Sequence, residues 1–200
     1  MASLNIDPKK SSEYIAIFKT YNKVIESIAT TNNKKKDLIN LEKVYSETYV
    51  TNVNSRNHKY FTKEDLINVM KWKLTLGEMR GPLLKKNQEN TPENVISISK
   101  EAFALMEQNE DIKAIKKLCE LNAVGPVTAT ALLCKFYERI PYLDDHTLMV
   151  CLGSHKYTMK AFKDVSEILT AKACEMNTIN KITFWNAYKL SQLIWIREIK

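Results

Sequence analysis

Residues 118–129 read Leu118-Cys119-Glu120-Leu121-Asn122-Ala123-Val124-Gly125-Pro126-Val127-Thr128-Ala129. This pattern predicts a helix, a tight turn at Val124-Gly125 and a second helix that begins with Pro126. Proline suits the first position of a helix because its missing N–H would be unpaired there anyway. Glycine just before it lets a partner approach the backbone closely. The backbone N–H groups at such a helix start favour an anion such as a phosphate group.

A pair of carboxylates follows this hairpin in the sequence. Asp145 stands twenty residues beyond Gly125, directly after Asp144. Aspartate is a preferred helix N-cap, so one interpretation is that Asp144 only starts a helix over Asp145–Leu152. The other interpretation makes Asp145 a functional carboxylate, because it follows a candidate phosphate-binding turn. The residues alone leave both interpretations open.

Together these two features resemble the helix-hairpin-helix DNA glycosylase superfamily. The usual family pattern is L-P-G-V-G-x-K-T-A, followed by a segment that ends in V-D-T-H. The first part is matched at Leu121, Val124, Gly125, Thr128 and Ala129, and Asp145 falls where the family's catalytic aspartate falls. The resemblance covers about thirty residues, roughly 118–150, of the 200 in the chain.

The chain also departs from the family pattern. Asn122 and Ala123 replace Pro and Gly, which makes the turn less permissive than usual. Val127 stands where members with lyase activity carry a nucleophilic lysine, and valine cannot form a Schiff base. His146 and Thr147 appear in the order opposite to T-H. The resemblance therefore implies a monofunctional glycosylase, in which water is the nucleophile and the strand is not cut.

The resemblance implies a fold and a mechanism. The fold would be all-α, glycosylase-like, with two helical lobes and a cleft between them, and each lobe would combine parts distant in sequence. Residues 1–200 would form one helical domain of two such lobes, and residues 112–137 would form the helix-hairpin-helix element. In base-excision repair such a hydrolase flips a base out of the stack. Asp145 would then stabilise positive charge on the sugar and orient a water.

Candidate DNA-binding residues lie in two segments. The hairpin supplies Val124, Gly125, Val127 and Thr128, and an upstream basic segment supplies Lys73 and Arg80. If the upstream helix persists, Lys73, Gly77 and Arg80 share one helical face. The alternative interpretation is that the lysines of this segment are simply solvated.

Three further residues are candidates for a base pocket: Trp72, Tyr142 and His146. Trp72 has a simpler interpretation as a core residue, because tryptophan at helical spacing is usually buried. For His146, a position on the surface is the simpler interpretation.

Composition supports a polyanionic partner. The chain carries 30 basic and 23 acidic side chains, a net charge of +7, and most of the excess lies in the first hundred residues. Such a basic excess favours nucleic acid, here DNA, as a partner. A lysine-rich solvated surface explains the charge equally well.

The sequence gives no indication of a cofactor, a metal or a membrane segment. The four cysteines are too far apart for a CxxC pattern, and we expect all of them to be core thiols in a reducing compartment. The three histidines show no metal-ligand spacing. The first ten residues are polar and no apolar run reaches bilayer length. We therefore expect a soluble intracellular protein, in the nucleus or the cytoplasm.

Helical periodicity dominates the rest of the chain, and no segment predicts a strand. A capping-box pattern at Thr62 predicts a helix to about Leu76, and Thr91 with Pro92 predicts another to about Gln108. Leu38, Leu41, Tyr45 and Thr48 mark the apolar face of an earlier helix. The last two helices are predicted over Tyr157 to Met176 and Asn180 to Glu198, and the final one should be largely buried.

Three classes of function remain open. The first is a base-excision enzyme. The second is a helix-hairpin-helix nucleic-acid-binding module that has lost the chemistry. The third is a protein–protein scaffold of the same fold, in which the hairpin serves packing alone.

Overall fold

The structure is a computed structural model that describes residues 4–199. Within those residues it contains α-helices, two short 3-10 helices and one π-helical segment, and no strand. The all-α fold class is therefore confirmed. Helices α1 to α12 span, in order, Ser11–Phe18, Tyr21–Thr31, Leu38–Lys43, Tyr49–Asn54, Lys63–Leu76, Gly81–Gln88, Pro92–Glu107, Asp111–Leu118, Pro126–Leu133, Asp145–Leu152, Met159–Asn180 and Ala187–Glu198.

The described residues form two compact units. The central unit is Ile25–Lys135. The terminal unit combines the residues up to Val24 with those from Phe136 onward. The hairpin helices α8 and α9 belong to the central unit, and α10, which begins at Asp145, belongs to the terminal unit.

Local capping signals place several helix starts where the sequence predicts them. The Thr62 hydroxyl accepts a hydrogen bond from the Asp65 N–H at 3.2 Å, and the Asp65 carboxylate accepts one from the Thr62 N–H at 2.9 Å. This reciprocal capping box satisfies two N–H groups that the helix itself leaves unpaired. The Thr91 side chain caps α7 by accepting a hydrogen bond from the Asn94 N–H, and Pro92 stands in the first turn.

A π-helical segment, Val44–Thr48, joins α3 to α4. The wider π turn rotates the following residues around the helix axis. Thr48, predicted on the apolar face, is therefore exposed, and Tyr49 is buried instead. The hydroxyls of Tyr45 and Tyr49 donate to the carbonyls of Ala131 and Leu132, at 2.8 and 2.7 Å. These bonds fix the π segment and the start of α4 against α9.

The terminal unit is built around the last helix. Five large residues of α12 are buried: Leu190, Leu193, Ile194, Trp195 and Ile196. This burial confirms the expectation for the final helix. However, α11 continues to Asn180 and α12 begins only at Ala187. The Asn177 amide holds the connection in place, because it bonds both the N–H and the carbonyl of Trp185 at 2.9 Å.

The cysteines differ in exposure, and all four are free thiols. Cys134 and Cys151 are buried, and Cys119 is half-buried. Burial raises the pKa of Cys134 to about 11 and that of Cys151 to about 12, so both stay protonated at neutral pH. Cys174 is exposed on α11, so the expectation that every cysteine lies in the core is wrong for this one. No helix in the described part of the chain is long and apolar enough to cross a bilayer.

Candidate nucleic-acid interface

The hairpin turn is longer than the sequence predicts. Helix α8 ends at Leu118 and α9 begins at Pro126, so the connection takes in residues 119–125. Within it, Ala123 has a φ of 61°, in the left-handed region. Gly125 has a φ of −106° and a ψ of −178°, which is ordinary extended backbone. The strained position is therefore Ala123, and no backbone conformation requires glycine at position 125.

Two buried asparagines hold the turn. Asn90 accepts a hydrogen bond from the Asn122 N–H at 2.8 Å. The side-chain amides of Asn87 and Asn90 donate to the Asn122 carbonyl at 3.2 and 3.1 Å. Both asparagines are at most 2% exposed, whereas Asn122 itself is exposed. Sequence reasoning missed both residues, because asparagines in a polar connection look the same whether they are solvated or buried.

We expect Ala123→Gly to stabilise the protein. An L-residue in the left-handed region costs roughly 1–2 kcal/mol, and glycine adopts that region freely. Part of this gain is offset because glycine raises the entropy of the unfolded chain by about 0.4–1 kcal/mol. The net increase in the free energy of unfolding should be about 0.5–1 kcal/mol, measured by urea denaturation.

Asn109→Gly is the matched control for this substitution. Asn109 also has a positive φ, of 59°, but asparagine tolerates this conformation better than alanine does. We expect a smaller gain at Asn109. An equal or larger gain there, or a loss at position 123, would contradict the assignment of strain to Ala123.

The start of α9 is open to a partner. Gly125 is the N-cap residue, and no side chain caps this helix. The first N–H groups of a helix have no intrahelical acceptor. A Cβ atom built at Gly125 would meet nothing within 4 Å. The missing side chain therefore leaves room for a group that approaches the backbone from outside.

Lys73 of α5 lies at the same helix start. Its Nζ donates to the Thr128 hydroxyl at 2.9 Å. Lys73 is half-buried and Thr128 is buried. The structure thus brings together two predicted DNA-binding residues that are 55 positions apart in the chain. Of the other hairpin residues, Val124 is buried and Val127 is half-buried.

Arg80 does not share a helical face with Lys73. Helix α5 ends at Leu76, and Gly77 leaves the helical conformation with a ψ of −113°. The predicted common face of Lys73, Gly77 and Arg80 is therefore wrong, because glycine ends the helix between them. Arg80 precedes α6, is exposed, and forms an ion pair with Glu78 at 3.4 Å.

Trp72 is a core residue. It is 2% exposed, and its indole N–H donates to the Glu42 carboxylate at 2.6 Å. Its ring stacks on Tyr45 with centroids 3.7 Å apart. The alternative interpretation from the sequence therefore holds, and this indole does not line a surface pocket for a base.

The carboxylate pair lies at the start of α10 in the terminal unit. Asp144 is the N-cap and accepts a hydrogen bond from the Thr147 N–H at 2.7 Å. Asp145 is the first helical residue and is exposed, and its carboxylate accepts a hydrogen bond from the Tyr157 hydroxyl. The helix bounds Asp145–Leu152 and its Asp144 cap match the sequence prediction. Two pocket candidates lie close to Asp145 in the sequence and are less exposed than it is. Tyr142 is buried and His146 is half-buried.

Asp144 is the unusual carboxyl group of the pair. Its Oδ2 is buried without a hydrogen-bond partner in the described part of the chain. Burial raises the pKa of Asp144 to about 6, against the opposing effects of Thr147 and His146. The folded protein therefore binds this proton more tightly than the unfolded chain does. The contribution of Asp144 to stability is full below about pH 4 and is lost as the pH rises through 6.

The structure thus brings some of the predicted site residues together and separates others. Lys73 and the hairpin residues meet at the start of α9. Asp145 and Tyr157 meet at the start of α10. Trp72 and Tyr142 are buried. The chain matches no protein-family model, no curated protein and no solved structure.

Proposed function

We propose that the chain binds DNA through the start of α9 and acts on a flipped nucleotide with the Asp145 carboxylate. The observation that carries the proposal is the junction of Lys73 with Thr128, beside the open position at Gly125. A cation and a set of outward-facing N–H groups converge there. This combination favours a phosphate group, which the basic excess of the chain would help to attract.

Phosphate binding at this junction follows from ordinary anion recognition. The first turn of α9 carries the positive end of the helix dipole and unpaired N–H donors. Lys73 adds a full positive charge from α5. The buried Asn87 and Asn90 fix the turn, so that its N–H groups need no reordering on binding. A preorganised donor set costs less entropy when the ligand arrives.

The chemistry proposed for Asp145 is hydrolysis of the bond between base and sugar. Cleavage of this bond builds positive charge on the sugar, and a carboxylate close to that carbon stabilises it. The Tyr157 hydroxyl holds the Asp145 side chain in one orientation. Val127 offers no amine at the position beside the hairpin, so the attacking group there is water. The expected product is an intact strand with an abasic site.

A non-catalytic DNA-binding module is the second candidate. The exposure of Asp145 favours it, because an exposed carboxylate is solvated and stabilises charge less than an enclosed one. A protein–protein scaffold is the third class, and it predicts no DNA affinity at all. Binding measurements on the hairpin and activity measurements on Asp145 separate the three.

The test of DNA binding is the double substitution Lys73→Gln with Arg80→Gln. Each lost phosphate contact should flatten the plot of log affinity against log salt by about one unit. We expect affinity for duplexes of different sequence to fall about tenfold at moderate salt, since phosphate contacts carry little sequence information. Fluorescence anisotropy over a series of salt concentrations measures both quantities.

A charge-matched control is Lys160→Gln with Lys163→Gln. Both lysines are exposed on α11 in the terminal unit and pair with acidic residues on the same helix. This variant loses the same formal charge, and its salt slope should remain that of the original chain. If both double variants lose affinity equally, only net charge matters and the junction at Lys73 is not the site.

A further inference from the structure

A second cluster of polar side chains lies in the central unit around the π-helical segment. The Lys135 ammonium donates to the Ser46 hydroxyl at 3.1 Å. Ser46 in turn donates to one oxygen of Glu42 at 2.5 Å. The Trp72 indole donates to the other oxygen of Glu42 at 2.6 Å. The Lys135 Nζ also lies 4.7 Å from the centre of the Tyr45 ring.

The cluster is largely buried. Glu42, Tyr45 and Trp72 are buried, whereas Ser46 and Lys135 are half-buried. The titratable groups close to Lys135 include Glu42, Cys134 and Tyr45. Burial lowers the pKa of Lys135, and the charge of the nearby Glu42 carboxylate opposes that shift only in part.

The hydrogen bonds run in one direction, from amine to hydroxyl to carboxylate. A proton that leaves the ammonium therefore has a path through Ser46 to Glu42. The π segment matters here because it carries Ser46 and directly follows α3, which supplies Glu42. Such segments inside helices frequently lie at functional sites.

We propose that Lys135 is a nucleophilic amine that forms an imine with an aldehyde, and that Ser46 and Glu42 relay the proton. The proposal goes beyond the function assigned above, since neither the start of α9 nor Asp145 takes part in it. The site it assigns is the Lys135 amine, which lies over the Tyr45 ring.

The reaction balances within these groups. The ammonium gives one proton through Ser46 to Glu42, and the free electron pair of the nitrogen attacks the carbonyl carbon. The N–C bond forms as the carbonyl π bond breaks, and the oxygen takes the proton back from Glu42. A further proton then passes from the nitrogen of the resulting carbinolamine, through Ser46 and Glu42, to its hydroxyl group. This group leaves as water. The net change is ammonium plus aldehyde to protonated imine plus water.

The test is reductive trapping of benzaldehyde on the intact chain with cyanoborohydride. The sites and rates of labelling are read by peptide mass spectrometry from pH 5 to pH 9. The comparison groups within the same molecule are Lys85 and Lys163, which are exposed. We expect Lys135, although less accessible, to be labelled at least about tenfold faster than either at pH 7. Its pH profile should have the lower midpoint, because a lysine of ordinary pKa is almost fully protonated at pH 7.

Variants test the relay separately from the amine. Ser46→Ala should slow the labelling of Lys135 by about tenfold or more, since a positioned acid–base group contributes about that much or more. Ser166→Ala is the matched control, because Ser166 lies on α11 in the terminal unit. It should leave the rate unchanged. Lys135→Arg keeps the positive charge and should abolish trapping at this site.

Two results would overturn the proposal. The first is that Lys135 is labelled no faster than Lys85 at pH 7. This result can be observed on the original chain, without any variant. The second is a folded Ser46→Ala variant in which Lys135 is labelled at an unchanged rate. Lys135 would then exchange its protons with solvent, and Ser46 would not act as a relay.

Discussion

We expect Asp145→Asn to lower base release by at least about a hundredfold, the scale on which loss of an electrostatic stabiliser is felt. Asparagine preserves the size of the side chain and can still bond to Tyr157. It removes the negative charge that would stabilise an oxocarbenium-like transition state. DNA binding should persist, or tighten slightly as repulsion from phosphate disappears. The measurement is incubation with a panel of duplexes that carry damaged bases, followed by detection of free base and abasic sites.

The product provides a second readout on the same panel. Because Val127 supplies no amine beside the hairpin, the strand should stay intact and break only after alkali treatment. Asp164→Asn is the matched control. Asp164 lies in the same unit and accepts a hydrogen bond from Lys160, as Asp145 does from Tyr157. The Asp164→Asn protein should release base as fast as the original chain.

Full activity of the Asp145→Asn protein would remove Asp145 from the mechanism. A different outcome is that the original chain releases no base from any duplex in the panel. That outcome would favour the DNA-binding module without chemistry, and Asp145 would then be only the first residue of α10.

The sequence predicted best those features that depend on neighbouring residues. The helix starts at Thr62, Thr91 and Asp144 follow from caps that bond N–H groups three residues away. Gly153 ends α10 in the left-handed conformation, where the sequence placed the end of a helix. Such signals act over one turn of helix, so a single sequence is enough to detect them.

The features that the sequence did not reveal arise from contacts between distant positions. Asn90 and Asn122 are 32 positions apart, and Lys135 and Ser46 are 89 apart. No local pattern distinguishes a buried asparagine or lysine from a solvated one. The π segment is a second case, because its effect on Thr48 and Tyr49 depends on where α3 and α4 pack. Periodicity assumes a regular helix and cannot anticipate the rotation.

The hairpin itself shows both situations. Its two helices and the proline at the start of α9 were predicted from residues 118–129, and the structure has them. The conformations of its small residues, Ala123 and Gly125, were not predicted. Ala123 takes the left-handed position, while Gly125 is extended and faces open space. We propose that this glycine, which the backbone does not require, leaves the helix start open for the close approach of another molecule.

Gly125→Asp is the sharpest test of that explanation. Its extended backbone accepts any residue, its Cβ would meet nothing within 4 Å, and aspartate is a preferred N-cap. The fold should therefore be as stable as before, or more stable by a few tenths of a kcal/mol. A carboxylate at this position would occupy the N–H groups of α9 and repel phosphate.

We expect affinity for duplex DNA to fall about 30-fold, which corresponds to roughly 2 kcal/mol, the loss of a charge-assisted hydrogen bond. Gly125→Ala adds only a methyl group and should cause a smaller loss. Thr91→Asp is the matched control, because Thr91 is also an N-cap before a proline in the central unit. The Thr91→Asp protein gains the same negative charge, and its affinity for DNA should not change.

Anisotropy titrations measure binding and urea denaturation measures stability. A Gly125→Asp protein that is stable and binds DNA normally would mean that the hairpin serves packing alone, because charge and bulk at this open position would then meet no ligand.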